Sequence, residues 1–95
     1  MPSAETAALI SRSLLMPRFY LNLRSGDDYI PDQEGSEVAD LAAARMEAIN
    51  AVRDLVAADI RLGKRLNLSD AVEIDDQEGR LVLIMLFREA VSIKA

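Results

Sequence analysis

The amino-acid sequence predicts an α+β fold, a two-layer sandwich in which one long helix packs on a small, mostly antiparallel sheet. Three observations predict it: alternation of apolar and polar side chains over residues 18–24, a helical period running from Asp40 towards Gly63, and two short apolar runs separated by a polar turn within residues 72–87. Ninety-five residues with 51% apolar side chains suit one modest core, and the low aromatic content makes that core aliphatic. The expected division is an N-terminal extension, residues 1–15, followed by a single α+β domain, residues 16–95.

The first strand is "RFYLNLR". Phe19, Leu21 and Leu23 fall on one face, and Arg18, Tyr20, Asn22 and Arg24 on the other. "SGDD" then supplies turn chemistry, and "YIP" forms a short return strand that Pro31 confines to a sheet edge. From Asp40, an expected N-cap, Leu41, Ala44, Ala48, Val52 and Leu55 form an apolar stripe widened by Ile49, Val56 and Ile60. Gly63 is the expected glycine beyond the last turn. At ~1.5 Å per residue this helix is about 33 Å long, against ~23 Å for a seven-residue strand, so one end should overhang the sheet.

"AVEIDDQEGRLVLIMLF" reads as a β-hairpin. Val72 and Ile74 alternate with Glu73 and Asp75, Gly79 sits in the turn, and residues 81–87 return without a polar position. A strand apolar on both faces is expected in the middle of a sheet. The predicted topology is therefore β-β-α-β-β with strand order 2-1-4-3. The first and third strands would then be parallel and joined through the helix by a right-handed crossover.

The chain has no cysteine and no histidine, which removes disulfides, thiolate nucleophiles and zinc sites built on those residues. Its net charge of −5 argues against general nucleic-acid binding, which depends on neutralised phosphates. Arg61, Lys64 and Arg65 form the one dense basic cluster, at the helix end, where cations favour the helix dipole. The acids at Asp27, Asp28, Asp32, Glu34, Glu37 and Asp40, like those at Asp70, Glu73, Asp75, Asp76 and Glu78, lack calcium-loop spacing and read as solvated turn and cap residues. No nucleophile or phosphate-cradling glycine motif accompanies them. The sequence thus predicts no enzyme, no metal and no cofactor. No run approaches the ~20 apolar residues of a membrane span. "MPSAETAALISRSLL" lacks the basic start of a signal peptide, so the expected location is cytoplasmic.

Together, "MPRFYLNLRSGDDYIPDQEG", "DLAAARMEAINAVRDLVAADI" and "LNLSDAVEIDDQEGRLVLIMLF" resemble the short alphaproteobacterial proteins of domain of unknown function family 6894, over residues 16 to about 90. The resemblance rests on the order of strand, acidic turn, D-L-x-x-A-R helix start and D-x-x-G-R hairpin. Members commonly begin at the position of Met16, which implies that residues 1–15 are either a genuine extension or the product of an upstream start codon. Members often carry histidine where this chain has Asn22, so a histidine-based role does not carry over. The resemblance implies no activity.

The doubly apolar run needs cover on its second face, which is Val82, Ile84 and Leu86 or else Leu81, Leu83 and Met85. Either the segment around Leu9, Ile10, Leu14 and Leu15 supplies it, or a second subunit does. The leading expectation is a small cytoplasmic protein-interaction or adaptor module that self-associates as a homodimer through Tyr20, Val82, Ile84 and Leu86, with a further protein partner unidentified. The alternative is a nucleic-acid-associated or antitoxin-like regulator acting through Arg61, Lys64 and Arg65, helped by Arg18 and Arg24.

Overall fold

In the computed structural model, which describes residues 16 to 92, the alternating stretch forms β1, Arg18–Ser25. A tight turn leads into β2, Asp28–Ile30, and a loop that includes Pro31 separates it from β3, Ser36–Glu37. Both pair antiparallel with β1 on the same flank: Leu23 to Ser25 meet β2, while Arg18 and Phe19 meet β3. That flank is one edge strand split in two, and sequence alternation revealed only its first half.

The helical stretch is α1, Leu41–Arg61. Asp40 caps it as expected, its carboxylate accepting the Ala43 N–H at 2.8 Å. Gly63, at φ 70°, turns the chain out of the helix in a conformation that side chains other than hydrogen disfavour. Ala44 and Ala48 have no exposed surface, and their small size lets the helix axis approach the sheet closely. Ile49, Val52 and Val56 complete its buried side, packed with Phe19, Val72, Ile74 and Met85 in a single core. Leu55 and Leu62 continue the face of Ala48 at seven-residue spacing, yet both are exposed, as is Ile60. The last turns of α1 therefore run past the sheet, which is the overhang that the helix length implied. Leu55 and Ile60 do not belong to the buried stripe.

β4, Ala71–Asp75, and β5, Leu81–Leu86, make the expected hairpin, and a single-turn helix α2, Phe87–Ala90, follows. Every strand pair is antiparallel, and the sheet runs β2-β1-β4-β5. This overturns the predicted order 2-1-4-3. Counted over the same four strands it is 2-1-3-4, with the last strand at the edge. The reason lies in β4, which is the better central strand: Val72 and Ile74 are buried under α1, while Glu73 and Asp75 find polar partners on β1. On β5, Leu83 and Met85 pack into the core, whereas Leu81, Val82 and Ile84 stay exposed. Apolarity on both faces did not mean cover on both faces. Nor are the first and third strands parallel. The parallel strands joined through α1 are β3 and β4, which flank β1 on either side.

The expectations for residues 1–15, including cover by Leu9, Ile10, Leu14 and Leu15, lie outside the described residues. No helix of the described residues is long and apolar enough to cross a membrane.

Candidate interaction surface

Strand alternation sends Tyr20, Asn22 and Arg24 to the side of the sheet away from α1, opposite Asp75, Glu73 and Ala71 of β4. Asn22 is 3% exposed, which a polar side chain tolerates only when its hydrogen bonds are made. They are made. Its Nδ2 donates to the Glu73 carbonyl and to Asp75 Oδ2, both at 3.1 Å, and its Oδ1 accepts the Asp32 N–H at 2.9 Å. Asp32 answers from the loop between β2 and β3: Oδ2 accepts the Leu21 N–H at 3.1 Å, and Oδ1 accepts the N–H groups of Gly35 at 3.0 Å and Glu34 at 3.3 Å. Leu21 lies where β1 has neither β2 nor β3 beside it. The Asp32 carboxylate thus stands in for the missing strand.

Gly35 allows the loop to lie this close. It sits at φ 71°, and a Cβ there would come within 2.9 Å of the Phe19 carbonyl oxygen, Arg18 Cγ and Tyr20 Cε1. Arg18 then clasps the loop, donating to the Glu34 carbonyl at 2.6 Å and to Glu37 Oε1 at 2.8 Å. Further along, Arg24 Nε donates to Glu73 Oε2 at 2.8 Å, and its guanidinium lies 4.5 Å from the Tyr29 ring centroid. The hydrogen bond to Glu73 raises the Arg24 pKa, and burial raises that of the Tyr29 hydroxyl. These acids and bases are engaged with one another and with backbone.

The acids expected to be solvated therefore divide. Asp32 organises a loop, Asp40 caps a helix, and Asp76 closes the β4–β5 turn by accepting the backbone N–H groups of Glu78 and Arg80. Among the described residues no acidic group is gathered in a way that could hold a metal ion. Arg61, Lys64 and Arg65 are exposed at the far end of α1, while Arg18 and Arg24 lie on the sheet in ion pairs. The structure does not bring these five cations together.

Of the interface candidates, Val82 and Ile84 stand exposed on β5, at 38% and 53%. Leu86, on the same side, is half-buried. Tyr20 shares that side but lies across β4, with Asp75 between it and the start of β5. It is also half-buried beside Gly35, so it does not extend the apolar patch. Leu81, at 50% exposure, does extend it, whereas strict alternation grouped it with Leu83 and Met85 on the opposite face. Its signal was available, since it belongs to the same unbroken apolar run.

What this fold and surface define is a small α+β domain with an exposed apolar edge strand. The family model described as Domain of unknown function (DUF6894) matches residues 18–88, from the start of β1 into α2, and the chain belongs to that family. No curated protein and no solved structure matches.

Proposed function

We propose that this protein is a cytoplasmic, non-catalytic interaction module that works by binding a second copy of itself through β5, and through that dimer presents itself to a further protein partner. The observation that carries this reading is the exposure of Leu81, Val82 and Ile84 on an edge strand with no charged residue between Arg80 and Arg88. Bare apolar side chains in a strand are costly in water and prone to association, and a two-fold partner offers the same patch in return. Sedimentation velocity on the full 10.4 kDa chain tests it. A mass moving to twice that value as concentration rises through the micromolar range supports the reading, and a constant single-chain mass rejects it.

A second reading rests on the exposure of Arg61, Lys64 and Arg65 at the end of α1, which leaves them free to meet phosphates. Heparin or oligonucleotide retention that falls steeply with salt would support a nucleic-acid-associated regulator. The net charge of −5 favours the first reading.

A further inference from the structure

We infer that the two copies join edge to edge: β5 pairs antiparallel with β5 of a second copy about a two-fold axis at Leu83, continuing the sheet across both molecules. This rests on the self-association proposed above and specifies its geometry.

The phase of the backbone comes first. In an antiparallel ladder, successive residues point their N–H and C=O groups alternately to the two neighbouring strands. Leu21 gives its N–H to Asp32, away from β4, so its partner Ile74 turns towards β5 and meets Leu83. Leu83 and Met85 therefore bond inward to β4, and Val82, Ile84 and Leu86 turn their backbone groups to the free edge. Two contacts agree with this phase. The Phe87 N–H turns inward to the Asp70 carbonyl, and the Leu86 N–H turns outward, where Glu89 Oε2 accepts it at 2.7 Å. Val82 is doubly available, because the register shift between Ile74 and Asp75 leaves it without a partner residue on β4.

The side chains point to the same place. Val82 and Ile84 are exposed on the outermost strand, whereas the middle of that face carries the Arg24–Glu73 ion pair and Asp75. Stacking two copies face to face would take those charges out of water, which an ion pair seldom recovers. Edge pairing covers the apolar side chains and leaves the charged row wet. Native edge strands are usually guarded by lysine, proline, inward charge or a bulge; residues 81–87 carry no such side chain, and the one register shift lies at the start of the strand, at Val82. The opposite flank, with Pro31 and Asp32, shows that this chain does guard an edge elsewhere.

Register follows from what must face what. Outward groups have to meet outward groups, so the two-fold passes through a residue, and overlap of the apolar strands is greatest with the axis at Leu83 or at Ile84. An axis at Ile84 sets Arg80 against Arg88 of the second copy and requires the Leu86 N–H that Glu89 already holds. An axis at Leu83 pairs Val82 with Ile84 of the second copy, twice over, and leaves Glu89 in place. It also brings Glu78 towards Arg88 of the second copy. The Leu83 axis therefore engages the outward groups of Val82 and Ile84 without displacing Glu89 and opposes no like charges.

The full chain has no cysteine, which makes disulfide mapping clean. Val82→Cys and Ile84→Cys are prepared separately, checked for unchanged helix content, mixed in equal amounts and mildly oxidised. The expected result is a mixed disulfide dimer formed several-fold faster than either variant forms with itself. Tyr20→Cys, across β4, should not cross-link. Efficient cross-linking of Tyr20→Cys, with no mixed product from the other pair, would overturn edge pairing while leaving self-association intact. A single-chain mass for the unmutated protein would overturn both, and an Ile84 amide protected in that monomer would assign the edge to a segment of the same chain.

Discussion

The two flanks of this sheet meet the same problem, a row of backbone groups with no further strand to bond, and they are built differently. On the β2–β3 flank the edge strands are two and three residues long, Pro31 removes a donor between them, and the gap at Leu21 is filled by the Asp32 carboxylate, itself anchored by buried Asn22. On the β5 flank, within a run of six apolar residues, Leu81, Val82 and Ile84 are exposed and Val82, Ile84 and Leu86 turn their backbone groups outward, where Glu89 accepts the Leu86 N–H. Folding completes the first flank within one chain. The second has no such cover among the described residues, and the difference turns on a few polar side chains.

The largest expected effect comes from breaking the finished flank at its tightest point. Gly35→Ala puts a Cβ against the Phe19 carbonyl oxygen and forces a positive φ on a residue that resists it. A loss of about 3 kcal/mol follows, seen as a fall in Tm of roughly 15 °C for a domain of this size. Calorimetry showing no fall would mean that the loop does not lie on β1. Asp32→Ala is the next test, since it strips the acceptor from the N–H groups of Leu21, Glu34 and Gly35. A cost of ~1–3 kcal/mol is expected in denaturant titration, with Asp32→Asn milder because one acceptor oxygen remains.

On the unfinished flank the balance reverses. Ile84→Ser should alter the stability of the dilute, dissociated chain by less than about 0.5 kcal/mol, because the side chain is already exposed, yet shift the mass at higher concentration to that of one chain. Equal loss of stability at all dilutions would show that Ile84 serves the core instead.

The smallest effect lies at the turn joining β4 to β5. Backbone N–H bonding from Arg80, followed by Glu78 and the Arg80 side chain, holds the Asp76 carboxyl below its ordinary value of 3.8. The Arg80 pKa is raised in turn by its hydrogen bond to Asp76. A carboxylate with a lowered folded pKa contributes stability that is full above the unfolded value and disappears as pH falls through the folded one. The Arg80 amide should accordingly exchange faster as pH drops below that ordinary value, after correction for intrinsic exchange, and Asp76→Asn should abolish the change. An NMR titration that finds Asp76 at or above 3.8 would contradict it.

Much of the fold was legible because it rests on local periodicity. β1, α1 with its Asp40 cap and Gly63 exit, and the β4–β5 hairpin follow from spacing and turn chemistry. Strand order was not legible, because an all-apolar strand looks the same whether it is buried twice or left bare once. What separates β4 from β5 is long-range, namely the hydrogen bonds that Arg24 and Asn22, 49 and 53 residues earlier, donate to Glu73 and Asp75. The Asn22–Asp32 lock was hidden for a similar reason. An asparagine inside a strand was a visible oddity, but its meaning depends on the path of a loop stiffened by Pro31 and admitted by Gly35. For β5, Val82 and Ile84 were named from the run itself, and Tyr20 was added because alternation shows which face a residue takes but not which strand lies between.

The difference between the flanks can be read directly at two amides. Hydrogen exchange should find the Leu21 N–H protected at every protein concentration, since Asp32 binds it within the chain, and the Ile84 N–H protected increasingly as concentration rises and freed on dilution. An Ile84 amide that exchanges freely in concentrated protein, or one whose protection ignores dilution, would contradict the account that β5 is the edge this chain leaves for a second copy.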